Sequence, residues 1–249
     1  MDIRLLFIRL DNGLLTLQGD RFVLDVSRLN NIGKELAQAI SVRNLRLVIG
    51  LGFDSKIVTA VQGFGLGVSS KVLSIDKMAF AKLHHAIASA RLDLTRILGS
   101  HFSPIKEFQP SATVHFSKGK LHFDTSVIKG FLDLGWSVVV SEDVTLTSST
   151  SGLYVISVDE LLIYLARETN PDVIVFDHFE DDSTVLPQSV ISGSQPEFEA
   201  YLQVTSSFNT IRAWKKALDD GEINSLSVIV NEGSSGVGKL IMDLGDSAD

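Results

Sequence analysis

The chain alternates short apolar runs with longer segments of helical period. Val138 to Val140 and Val173 to Phe176 are β-branched runs bounded by polar or turn residues, as expected of strands buried on both faces. Between them, Asp159 to Arg167 places Leu161, Leu162, Leu165 and Ala166 on one helical face, closed by Arg167 near its C-terminal end. The stretch from Ser126 to Phe179 therefore predicts a helix, a buried strand, an acidic turn and a Ser/Thr-rich hairpin. A short strand, a second helix and a second buried strand follow. Strands alternating with helices predict a mainly parallel α/β sheet with ligands at the carboxyl ends of its strands.

Elsewhere, Ile3 to Leu10 predicts a first strand ending in Arg9-Leu10-Asp11-Asn12-Gly13. Leu14 to Leu17 and Phe22 to Val26 predict a hairpin about Gly19-Asp20. Leu29 to Ile40 predicts an amphipathic helix with Ser27 as N-cap. Leu45 to Ile49 predicts a buried strand running into Gly50-Leu51-Gly52, followed by helix over Ser55 to Gln62. Asp76 to Leu98 is the longest helical pattern, and Ala112 to Phe116 with Lys120 to Phe123 predicts a second hairpin. Asp181 to Pro196, rich in polar, Pro, Gly and Ser residues, predicts a loop suited to a lid or lobe boundary. Ser207 to Leu218 predicts a helix, Leu226 to Val230 a last parallel strand, and Gly238 to Leu244 an edge strand.

At 249 residues, 45% hydrophobic and with a mean hydropathy of +0.23, the chain can bury a full core. No apolar run approaches the roughly 20 residues that span a bilayer, so no membrane association is expected. With no cysteine, disulfides, thiolate metal sites and thiol nucleophiles are excluded, and a cytoplasmic location is expected. The net charge of −8 argues against nucleic acid as a partner, while a local basic pocket could still hold a small phosphorylated metabolite.

Several motifs compete for chemistry. Gly233 to Lys239 fits the spacing of a phosphate loop, but Leu240 stands where a Ser or Thr would hold magnesium. A surface turn before an edge strand is the favoured reading. Gly50-Leu51-Gly52 lacks the rest of a dinucleotide fingerprint, since Ser55 fills its third glycine position. Read as a turn that lets backbone amides approach an anion, it is more credible, with Lys56 a few residues on to supply charge. His84-His85 has no carboxylate at metal-ligand spacing, so packed or surface histidines are expected and no metal site is assigned. His115 and His122 fall on neighbouring hairpin strands. The acidic run from Asp177 through Glu180 to Asp182 follows a buried strand; it fits a nucleotide or magnesium site and a solvated loop equally.

Taken together, Phe7–Thr16, Ile49–Lys56, Ser141–Thr145, Val155–Ala166 and Phe176–Asp181 resemble the amino acid kinase superfamily, and within it the isopentenyl phosphate kinases. Family members carry Lys-x-Gly-Gly-Ser after the first strand, a Gly-Gly-Gly turn reaching Phe-Gly-His, Gly-Asp-Val-Val, and Ile-Leu-Ser-Gly-Asp opening a helix. Asp143, Ser157 and Asp159 fall in register with the last two patterns. The resemblance implies a single-domain three-layer α/β/α sandwich with a mainly parallel central sheet. Residues of about 1–140 would form the substrate half and about 141–249 the nucleotide half. It places Arg9 and Asp159 in catalytic roles, and Gly50, Gly52, Lys56 and Ser157 on the substrate. Asp143, Asp177, Glu180 and Lys215 fall on the nucleotide side. ATP and magnesium are the cofactors of an active kinase; otherwise none is implied.

The same alignment shows divergence. Arg9 stands where the first-strand Lys belongs, Asp11 and Asn12 replace two glycines, and Leu51 interrupts the glycine triplet. Lys56 takes the His position, and Gln18 that of a further Lys. Thr205 to Ile211 carries no Lys in register, with Lys215 and Lys216 one turn later. Three expectations follow: ATP-dependent phosphoryl transfer to a small phosphorylated or carboxylated substrate, impaired or altered; a pseudokinase acting as a binding or regulatory subunit; or an enzyme of other chemistry using the same cleft. A homodimer, or pairing with a paralogous subunit, is expected across Asp76 to Leu98.

Overall fold

The computed structural model describes residues 4–10, 14–18, 21–53, 68–69, 72–73, 77–118, 120–146, 153–178, 191–192, 216–217, 219–221 and 227–230. The first third of the chain forms β1 (Arg4–Leu10), the hairpin of β2 (Leu15–Gln18) and β3 (Arg21–Leu24), α1 (Val26–Arg43) and β4 (Leu45–Leu51). Then come β5 (Val68–Ser69), β6 (Val72–Leu73), α2 (Lys77–Gly99), β7 (Ile105–Glu107) and the short α3 (Pro110–Thr113). The hairpin of β8 (Val114–Ser117) and β9 (Lys120–Phe123) leads to α4 (Ser126–Asp133) and β10 (Ser137–Ser141). The chain continues through β11 (Asp143–Leu146), β12 (Leu153–Ile156), α5 (Val158–Thr169), β13 (Val173–His178), β14 (Ile191–Ser192) and β15 (Ser227–Val230).

The central sheet has the strand order β14-β15-β13-β1-β4-β10-β7. Every pairing in it is parallel except β14 with β15. Because side chains alternate across a strand, β1 serves both faces of the sheet. Leu6, Ile8 and Leu10 join α1 and α2 in one core, and Leu5 and Phe7 join α4 and α5 in the other. The predicted α/β/α sandwich is therefore the observed one. A smaller antiparallel sheet, β11-β12-β6-β5, stands beside it.

Local chemistry explains several boundaries. α1 begins three residues before the expected Leu29, and its N-cap is Asp25 rather than Ser27; the Asp25 carboxylate accepts from the Arg28 amide at 3.0 Å. Both α1 and α5 end on a left-handed asparagine, Asn44 at φ 51° and Asn170 at φ 49°, which closes the last turn. The hairpin expected from Ala112 starts at Val114 instead, because Pro110 opens the α3 turn over the preceding residues. β7 was not expected, and β14 lies within the stretch read as a loop. The helix expected over Ser55 to Gln62 and the segment Gly233 to Leu244 lie outside the described residues, as does most of Ser207 to Leu218.

Candidate functional site

From β1 the chain moves to β4 on one side and later to β13 on the other, so the sheet order reverses at β1. Open α/β sheets bind ligands at such a switch point, beyond the carboxyl ends of the strands. There Arg9 pairs in register with Gly50 of β4, and Leu10 with Asp177 of β13.

Arg9 shares the face of Leu5 and Phe7 by the two-residue period, so it meets α5. Its Nε donates to Asp159 Oδ1 at 2.9 Å, and its Nη2 reaches Oδ2 at 3.5 Å. The Arg9 side chain is only 4% exposed. Asp159 stands in the first turn of α5, where the aligned peptide dipoles favour a carboxylate. Ser157 is the N-cap of that helix. Its Oγ accepts from the Glu160 amide at 3.2 Å while the Glu160 carboxylate accepts from the Ser157 amide at 3.1 Å.

Gly50 brings α5 onto the sheet. A Cβ there would lie 2.6 Å from Leu162 Cδ1 and 2.8 Å from Val158 Cγ2. The missing side chain thus sets the distance at which Asp159 reaches Arg9. Gly50, remote in sequence, is thereby brought against the helix start that carries Ser157 and Asp159. Beyond β4, the Gly52 amide donates to the Leu10 carbonyl at 3.0 Å, and the Phe53 amide donates to Glu142 Oε2 at 3.1 Å.

Asp143, expected on the nucleotide side, is 1% exposed and held by protein groups. Its Oδ2 accepts from the Ser111 amide at 3.0 Å and its Oδ1 from the Val144 amide at 2.8 Å. Arg91 Nη1 lies 3.7 Å from Oδ2, and His84 Nε2 lies 3.9 Å from Oδ1. Arg91 also donates to Glu107 at 2.6 Å and to Ser141 Oγ at 3.2 Å. Gln109 Nε2 donates to Ser111 Oγ at 2.9 Å and sits 2.9 Å from His84 Nε2. Asp143 therefore anchors a buried polar cluster behind the carboxyl end of β10. His84 is packed within it while His85 is exposed, and His115 stacks on His122 with ring centroids 4.9 Å apart.

Asp177 is placed by its backbone at the carboxyl end of β13. Lys56, Glu180 and Lys215 lie outside the described residues. Sequence reasoning missed Arg91 and Glu142. Arg91 carried a signal: it interrupts the apolar stripe of Ile87, Leu94 and Leu98, and a cation on a core-facing stripe needs a buried partner. Glu142 carried one too, because the register of Asp143 sets it on the glycine of Gly-Asp-Val-Val.

No family model matches the chain. Over 122 residues, 45% of its length, it is 30% identical to isopentenyl phosphate kinase of Methanocaldococcus jannaschii. That segment covers 46% of the relative, about half its length. A solved isopentenyl phosphate kinase superposes with a TM-score of 0.73 at 19% identity, covering 96% of this chain and 97% of that one. N-acetylglutamate synthase from Neisseria gonorrhoeae, complexed with coenzyme A and L-arginine, superposes with a TM-score of 0.61 at 13% identity. That match covers 97% of this chain and 58% of the synthase. The chain has the amino acid kinase fold. Within that fold it is similar to isopentenyl phosphate kinase, in sequence over the matched segment and in structure over nearly its whole length.

Proposed function

We propose that this chain is a phosphotransferase of the isopentenyl phosphate kinase type, whose ATP-dependent transfer to a small phosphorylated or carboxylated substrate is impaired or altered. The observation that carries this reading is the buried Arg9–Asp159 pair at the switch point. Phosphoryl transfer needs little covalent help from a protein and much positioned charge. A guanidinium keeps its charge at any working pH, and the helix-borne carboxylate fixes its direction. On this reading Asp177, whose backbone pairs in register with Leu10 towards the carboxyl end of β13, serves the nucleotide side. The impairment follows from the replaced residues: Asp11 and Asn12 stand in for glycines, and Gln18 for a lysine. Each lost phosphate-contacting donor costs about 3 to 4 kcal/mol in rate, by analogy with oxyanion-hole deletions.

The test is turnover of magnesium-ATP with isopentenyl phosphate, beside calorimetric titration of magnesium-ATP. Slow turnover, abolished in Arg9→Ala while nucleotide still binds, supports the proposal. A wild-type chain that binds no nucleotide overturns it.

A second reading, a pseudokinase acting as a binding or regulatory subunit, is favoured by the Gly52 amide, which is engaged by the Leu10 carbonyl. A synthase sharing the fold is a reminder that the scaffold does not dictate the reaction. Nucleotide binding with no turnover under any tested acceptor supports it. In either case a homodimer or a paralogous partner across α2 is part of the proposal. Met78 and Leu92 are exposed there, and light scattering on the purified chain reads the mass.

A further inference from the structure

β3 packs along α2, and its alternation sets the terms of the contact. Phe22 and Leu24 face inward and are buried, while Arg21 and Val23 stay exposed. Between strand and helix lies a cavity of about 590 Å³, within the range that small-molecule sites occupy. Phe22, Leu24 and Ala86 give it a buried apolar lining. Phe22 is held by an edge contact with Phe53, ring centroids 4.7 Å apart, so this part of the lining is in place before any ligand arrives.

Charge is unevenly distributed around the cavity. Arg21 comes from β3, and Lys82 and Arg96 come from α2; among the described lining residues only Asp93 carries a carboxylate. Arg96 Nη2 donates to Asp93 Oδ1 at 2.8 Å, so that pair answers itself. Arg21 and Lys82 have no ion-pair partner among the described residues, which leaves a surplus of positive charge. The chain as a whole carries −8, so the surplus is local. Exposed Ser89 adds a hydroxyl to the same wall.

We propose that this cavity is a binding site for a small organic anion, whose carboxylate or phosphate meets Arg21 and Lys82 while its apolar portion covers Phe22, Leu24 and Ala86. A guanidinium presents paired donors that match either head group, and the lysine adds a point charge. A bare inorganic anion lacks the apolar portion and a neutral hydrocarbon lacks the charge, so neither uses the whole site. The cavity shares no lining residue with the Arg9–Asp159 pair, and the inference rests on no reading of the reaction. Leu92, one of the exposed residues named for pairing across α2, lies about 120° round the helix from Ala86 by the helical period. A partner seated on Leu92 need not close the cavity.

Octanoate and octyl phosphate are the probes, with inorganic phosphate and octanol as partial mimics, each titrated calorimetrically into the full chain below its micelle range. At least one amphiphilic anion should bind at least roughly tenfold more tightly than both partial mimics. Arg21→Ala and Lys82→Ala should each weaken that binding about two- to fivefold, as an exposed charge pair does, and Arg21→Glu with Lys82→Glu by at least roughly tenfold. Ser89→Trp, which fills the cavity from an exposed position, should abolish it. Lys106→Glu reverses an exposed charge that does not line the cavity and should leave it unaltered. The substituted positions are exposed, and circular dichroism reads whether each variant folds. A wild-type chain that binds the amphiphiles no better than the partial mimics overturns the proposal, as do folded Ser89→Trp and double-reversal variants that keep wild-type affinity. Equal weakening in Lys106→Glu also overturns it, since general surface charge then does the binding. Light scattering on the same samples covers the other occupant. A wild-type chain that binds no amphiphile, with an oligomer mass that changes in the double-reversal variant, makes the cavity an interface between copies and sinks the proposal.

Discussion

Two arginines are buried near the carboxyl edge of the sheet, and they are enclosed differently. Arg9 reaches Asp159 at the start of α5, on the strand where the sheet order reverses. Arg91 comes from α2 and meets Glu107 of β7, Ser141 of β10 and Asp143 of β11. A buried ion pair alone is poor evidence of either stability or function. What separates the two is location. One cation pairs with a carboxylate at a helix N-terminus beside the strand where the sheet order reverses, whereas the other ties three segments of the protein together.

The largest expected effect tests that division. Arg91→Ala leaves Asp143 buried without its arginine and should cost about 3 to 5 kcal/mol in urea unfolding. The magnesium-ATP affinity of the folded molecules should be unchanged. If nucleotide affinity falls while stability holds, the two arginines are not divided in this way. A smaller effect probes the approach of α5 to Arg9. Gly50→Ala drives a Cβ against Leu162 and Val158 and should cost about 1 to 3 kcal/mol, read as a lowered denaturation midpoint. It should also lengthen the Arg9–Asp159 contact, whereas the Arg91 cluster, on the opposite face, should keep its geometry in a crystal structure of the variant.

The smallest effect lies away from both arginines and serves as their control. The Ser126 hydroxyl and then its amide hold the Asp124 carboxylate below its ordinary 3.8. A lowered value in the folded state gives stability that is present above the ordinary carboxylate range and is lost as the pH falls through the lowered value. Asp124→Asn should therefore remove a slight acid-side dependence, seen by comparing unfolding near pH 5 and pH 2. A dependence as large as that of Arg91→Ala would show that an exposed group rivals a buried cluster, contrary to the expected screening.

How much of this was legible in the sequence depended on the range of the signal. β10, β13 and α5 could be read because their cause is local: a β-branched run in the strands, and an apolar stripe behind a Ser157–Glu160 capping box in the helix. β7 could not, since three residues reading Ile-Lys-Glu carry no periodicity and pair only because β10 lies alongside. Arg9 and Asp159 were tied to one site by resemblance, and the register of β1 with β4 supplied the geometry. The Arg91 cluster had no such guide. Its members come from α2, β7, the α3 turn, the end of β10 and the start of β11, and only tertiary packing assembles them. Glu142 looked like one more acidic turn residue until the fold placed the Phe53 amide above it.

β7 has one more consequence. As the last strand on its side of the sheet among the described residues, it offers Ile105 to Glu107 to a would-be neighbour, and Lys106 stands exposed in the middle. Such a border is too short and too charged to recruit a second chain by main-chain pairing. Copies that meet along this flank would have to recognise each other through side-chain surfaces, which keeps crowding of the protein from turning into fibril growth there.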